Sequence, residues 1–199
     1  PRAYAHQQAG QSREALQELT PLAAAHPGNL WLQVAMAEAE ARTGESTQAD
    51  RRFESLLARM PTHRALALSY ARVLGERNTR DSGIRAVAVL RPLLGSAGND
   101  PLFQQAYARA NEIAGDDVRA GEAWAEAAYL GGRPEQALVQ LNNLKKRATL
   151  DYYARSRIEA RIAAITPTVL ELRRQGIKDE EATGRLSVGV RAGGSGATR

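Results

Sequence analysis

The three histidines of this 199-residue chain are His6, His26 and His63. None has a second His, Asp or Glu three or four positions away. That spacing is what sets two metal ligands on one helix face, so no zinc site is expected and the histidines read as structural or solvent-exposed. Cysteine is absent, which removes disulfides, thiolate metal sites and a thiol nucleophile. No Gly-x-Ser-x-Gly elbow, phosphate loop or dinucleotide fingerprint occurs. The carboxylate pair Glu180-Glu181 sits in a polar tail, and Gly193-Gly194-Ser195-Gly196 is low-complexity with no helix behind it to hold a phosphate. The chain is therefore expected to be non-catalytic and to hold no cofactor.

Recognition chemistry is what remains. Trp31, Val34, Glu38 and Arg42 recur at helical spacing, as do Leu68, Arg72 and Glu76, and then Gln105, Arg109 and Glu112. If these belong to the first helices of stacked helix pairs, they line a concave groove. Arg supplies a planar fork for carbonyls or carboxylates, and Trp supplies apolar area at low entropic cost. The competing reading is an ordinary solvated face, because Glu38/Arg42 and Arg72/Glu76 also stabilise a helix locally. Trp31 has a second option, packing across to the preceding helix pair. For Tyr152 and Tyr153, one ring is expected in the core and the other free to line a pocket or dock on a partner.

Helices must position these residues. Hydrophobic residues make up 43% and charged residues 25%, enough for a packed core. Alanine fills 37 positions while aromatics are 5%, which favours closely packed helices over a sandwich or barrel. No apolar run approaches the roughly 18–20 residues of a membrane-spanning helix. The net charge of +5 rests on scattered arginines, without the dense basic and aromatic patch of a nucleic-acid surface. No membrane insertion and no nucleic-acid partner are expected.

Gly10, Ala15, Leu19, Leu22 and Pro27 return 34 residues later as Gly44, Ala49, Phe53, Leu56 and Pro61. Thirty-four is the tetratricopeptide period. The glycines fit turns between antiparallel helices, the alanines helix crossings, the leucines an apolar stripe, and the prolines helix stops. A third copy puts its turn at Asn78 and shows Ala86, Leu90 and Leu93 three residues late. That places a three-residue insertion in the loop 78–83. A fourth begins at Gly115 with Ala120, Trp124 and Ala127. Gly132 then arrives after half a period, followed by Ala137, Leu141 and Leu144.

The expected fold is thus all-α, a superhelical solenoid of antiparallel pairs with about ten to eleven helices and no sheet. After the tail of a truncated helix at 1–9, helices fall near 12–26, 30–42, 46–59, 63–77, 83–95, 101–114, 117–131, 134–147, 151–165 and 167–175. Asp100-Pro101 and Thr166-Pro167 mark starts, Asp151 caps another, and Gly176 ends the last. Ile158, Ile162 and Ile165 should bury against helix 134–147. Residues 1–176 form the repeat domain and 177–199 a disordered polar tail. The start at Pro1 suggests a segment of a longer chain.

The segment from Ala128 to Leu138, with Gly131-Gly132-Arg133-Pro134-Glu135-Gln136-Ala137, and the block Tyr152-Tyr153-Ala154-Arg155-Ser156-Arg157-Ile158-Glu159-Ala160-Arg161 carry a further likeness. They resemble the C-terminal tetratricopeptide domain of BepA-like periplasmic zinc metalloproteases, over roughly residues 1–176. The resemblance implies a periplasmic binding module attached to a protease domain that works in outer-membrane β-barrel assembly and quality control. Its partners would be barrel clients, the assembly machinery or its own protease domain. Zinc would belong to that domain, since His-Glu-x-x-His does not occur here. A free-standing adaptor or chaperone in another pathway, such as secretion, is the alternative.

Overall fold

The computed structural model describes residues 2–147 and 150–179, and these are all-helical, with no strand among them. The helices are α1 (Arg2–Ala25), α2 (Leu30–Arg42), α3 (Ser46–Arg59), α4 (Arg64–Glu76) and α5 (Arg80–Leu90), the single turn α6 (Leu94–Ala97), then α7 (Pro101–Ala114), α8 (Asp117–Leu130), α9 (Pro134–Lys145) and α10 (Tyr152–Arg174). Setting aside the four-residue α6, the described residues hold nine helices, fewer than the ten to eleven expected. Two expected breaks do not occur. Gly10 lies inside α1, where one Gly costs about 1 kcal/mol against good helix formers on both sides. Pro167 lies inside α10 although it cannot donate to the Ala163 carbonyl. Ile165 and Val169, on either side of it, are both buried in one apolar cluster, so packing carries the helix through.

Side-chain caps set most starts. Asn29 accepts from the Leu32 N–H, His63 Nδ1 from Leu66, Asp100 from Leu102, and Asp151 from Ala154 at 2.6 Å. Left-handed residues set the stops: φ is 91° at Gly44, 50° at Asn78 and 82° at Gly115. The chain then closes back, with Glu45 N–H donating to the Glu40 carbonyl and Asp116 N–H to that of Asn111.

Caps Asn29 and His63 stand 34 residues apart, but His63 and Asp100 stand 37 apart. The three extra residues are not in 78–83, because α5 begins at Arg80 behind a Thr79/Ser82 capping box. They lie after α5, in the 3₁₀ turn Arg91–Leu93 and α6. The crossing position that Ala49 fills in α3 is filled in α5 by Gly83. A Cβ there would stand 2.4 Å from the Ala114 amide nitrogen, so the crossing is tighter than alanine allows. Ala86, Leu90 and Leu93 are buried, but as the inner faces of α5 and the inserted turn.

Each helix packs on its neighbour in sequence: α2 on α3, α4 on α5, α7 on α8, α9 on α10. Alternate helices touch as well, α2 with α4 and α4 with α7. One apolar cluster runs from Val34 to Ala123, with Phe53 stacked on Tyr70 at 4.7 Å. A second runs from Ala125 to Val169 and holds Ile158 and Ile165 against Ala137, Leu141 and Leu144, as the isoleucine spacing predicts. Ala49, Ala120 and Ala137 are buried as expected, whereas Ala15 is half-buried and Leu22 exposed. The expected disordered tail falls outside the described residues except at 177–179. There Ile177 is buried, and the Asp179 carboxylate accepts from the N–H groups of Glu135 and Gln136 at the start of α9.

Candidate functional site

Helices α2, α4 and α7 present equivalent residues in rows. The second residue of each is Trp31, Ala65 or Leu102, and all three are exposed, Trp31 at 71% and Leu102 at 65%. The fifth is Val34, Leu68 or Gln105; the ninth is Glu38, Arg72 or Arg109; the thirteenth is Arg42, Glu76 or Ile113. A groove of about 570 Å³ opens between α4 and α7. Leu68, Arg72, Glu76, Gln105 and Arg109 all line it, so the structure brings five residues of the sequence-derived set together. Ile113 is the in-phase residue that the sequence reading missed by one position, taking Glu112 instead. Glu112 lies off the groove and accepts from Trp124 Nε1 at 2.7 Å.

Small residues make the floor. Ala71 and Gly75 on α4 face Ala106 and Ala110 on α7, each pair four apart on one helix face. That spacing was a legible signal of two helices leaving room between them. The Arg64–Asp100 ion pair, 2.8 Å, ties the starts of α4 and α7 together. Toward their ends a methyl on Gly75 would meet Ile113 Cδ1 at 3.7 Å. The trench between is apolar below and charged at its rim.

The rim charges are not equivalent. Arg72 is held by Glu38 at 2.6 Å and Glu76 at 2.7 Å, and Glu38 also lies 3.7 Å from Arg42. Glu38 and Arg72 are one repeat apart, so this pair ties α2 to α4. Arg109 has longer contacts, 3.3 Å to Glu112 and 3.5 Å to Asn78 Oδ1. Arg109 is therefore the rim cation with the most donor capacity left. Val34 departs from the expectation: it is buried in the core and lines no groove.

Tyr152 and Tyr153 also depart from it. Neither ring enters the core; they are 78% and 75% exposed and meet edge-to-face at 5.7 Å. The rest of their block binds α10 to its neighbours. Arg157 forks onto Glu122, Arg161 forks onto Glu126 and lies 4.5 Å above the Tyr129 ring, and Lys145 pairs with Glu159. Among the described residues no group of three His, Asp or Glu side chains is placed to hold a metal ion. No described helix is long and apolar enough to cross a membrane. No protein-family model matches the chain, and no curated protein matches it.

Proposed function

We propose that this chain is a protein-binding module of tetratricopeptide-like helix pairs, and that its site is the α4/α7 groove. The observation that carries this is the groove itself, an apolar floor of Ala71, Gly75, Ala106 and Ala110 under a rim with the lightly engaged Arg109. An extended polypeptide offers such a site apolar side chains for the floor and carbonyls or carboxylates for Arg109. The exposed Trp31 and Leu102 extend the apolar surface at the helix starts. The 34-residue spacing of caps and the contacts between alternate helices support the repeat reading.

We further propose the periplasmic setting that the Tyr152–Arg161 block suggests, as accessory domain to a zinc metalloprotease acting on outer-membrane proteins. Unfolded barrel strands carry alternating apolar side chains and unpaired backbone groups, which suit a mixed groove. The exposed Tyr152/Tyr153 pair would then be a docking point toward the protease domain or assembly machinery.

A photoreactive residue at Gln105 should crosslink to a peptide of alternating apolar and polar residues, and Ala106→Trp, which fills the trench, should suppress it. Equal crosslinking from the exposed Asn143 on α9 would remove the groove as the site.

A further inference from the structure

A second lined cavity, of about 350 Å³, lies between α2 and α3 and is formed by residues the groove does not use. At its base the Glu40 side chain, almost wholly buried, takes the Arg52 fork at 2.6–3.2 Å. The remaining Arg52 nitrogen donates to Gln33 Oε1 at 2.7 Å, and Gln33 Nε2 reaches back to the Ala23 carbonyl. This fixed pair is neutral. Arg51 and Arg59 stand over it on α3, and neither makes an ion pair among the described residues. Three guanidiniums thus meet one carboxylate in the lining, in a protein where most other lining arginines are matched.

The spacing selects the ligand. Arg51, Ser55 and Arg59 are four apart and share one face of α3. Eight residues along a helix separate the two cations by about 12 Å. A single phosphate does not span that distance. An extended peptide advances about 3.3 Å per residue with alternate side chains on one side, so carboxylates four residues apart match it. Ser55 and Gln48, both exposed and lining the cavity between and beside the arginines, offer hydrogen bonds to the backbone of such a strand.

We infer that the α2/α3 cavity is a second recognition site, for an extended acidic segment of a partner protein whose carboxylates recur at every fourth residue. It is separate from the α4/α7 groove in both residues and polarity, so one partner can engage an apolar and an acidic stretch at different places.

The test is fluorescence anisotropy of the whole chain with a labelled, otherwise neutral peptide bearing two Glu four residues apart. The double variant Arg51→Gln/Arg59→Gln should weaken binding about tenfold or more. Arg51→Lys/Arg59→Lys should keep most of it, and Ala106→Trp should leave it unchanged. Both arginines are exposed, and circular dichroism of each variant checks that the fold is kept. Salt near 1 M, where the Debye length is about 3 Å, should abolish the difference. The inference fails if the Gln variant binds like the parent, or if a peptide with adjacent Glu residues binds equally well. It also fails if a single-stranded oligonucleotide binds more tightly through the same two arginines.

Discussion

Asp50 shows how one carboxylate can tie several elements together. From α3 it accepts from Arg77 at 2.6 and 2.9 Å and from Arg85 at 2.8 Å, so it joins the end of α4 to α5. Arg85 also donates to the Tyr70 hydroxyl, which in turn donates to Glu54. Burial pushes the Asp50 carboxyl upward, but the hydrogen bonds and charges of Arg77 and Arg85 outweigh it, and its pKa is held below the ordinary 3.8. Burial, with Asp50 nearby, pushes the Tyr70 phenol well above its usual value, so it stays a neutral donor. For a carboxyl depressed in the folded state, the stabilisation is present above the unfolded pKa and lost as pH falls through the folded one. Asp50→Asn should therefore cost about 1–3 kcal/mol near neutrality. It should cost progressively less as pH falls below about 4, where the unfolded chain takes up the proton, and on through the lower folded pKa, where the folded parent loses the charge too. Urea midpoints measured against pH check this; a cost that does not shrink in acid would mean the charge is not what holds the network.

At the scale of elements, α10 is the place where a strong local signal loses. Thr166-Pro167 has the look of a cap followed by a first-turn proline, yet the helix runs from Tyr152 to Arg174. The Thr166 hydroxyl turns back to the Ile162 carbonyl at 2.7 Å instead of capping a new start. Pro167 is exposed, so replacing it removes no core contact and restores a donor for the helix. Pro167→Ala should then stabilise the protein, by up to about 3 kcal/mol, and raise Tm. A loss of stability would show that the proline positions the last turns of α10. Such outcomes mark what was legible. Turns needing a left-handed residue were readable at Gly44, Asn78 and Gly115, because few side chains tolerate that backbone. The crossing at Gly83 was hidden, since the close approach there demands less than the methyl group that marks the other crossings. Ala86, Leu90 and Leu93 then imitated the repeat three residues late. The period placed Leu68, Arg72, Glu76, Gln105 and Arg109 on one face but not Val34 or Glu112, and the exposure of both Tyr152 and Tyr153 was not readable, as nothing in an aromatic pair states which side faces the core.

Across the whole molecule, the two apolar clusters divide the chain within one helix. Ala123 of α8 belongs to the first, and Ala125 of the same helix to the second. The half-period spacing from Gly115 to Gly132 puts α8 in both roles, pairing with α7 on one side and with α9 on the other. Chains of helix pairs in which each unit touches only its neighbours lose stability locally before they lose it everywhere. The second cluster is the smaller, and the Arg157–Glu122 and Arg161–Glu126 forks also tie α10 to α8. Ile158 is completely buried at its centre. Ile158→Ala should cost about 2–5 kcal/mol through lost transfer energy and the cavity left behind. Native-state hydrogen exchange should place that loss unevenly. Amides of α9 and α10 should lose protection first and most, while α4 and α7, which carry the groove, keep theirs in mild denaturant. Peptide crosslinking from Gln105 should persist in the variant for the same reason. A uniform drop in protection from α2 to α10 would instead mean that α8 couples the two clusters into one cooperative unit, and the groove would then depend on the C-terminal helices that never touch it.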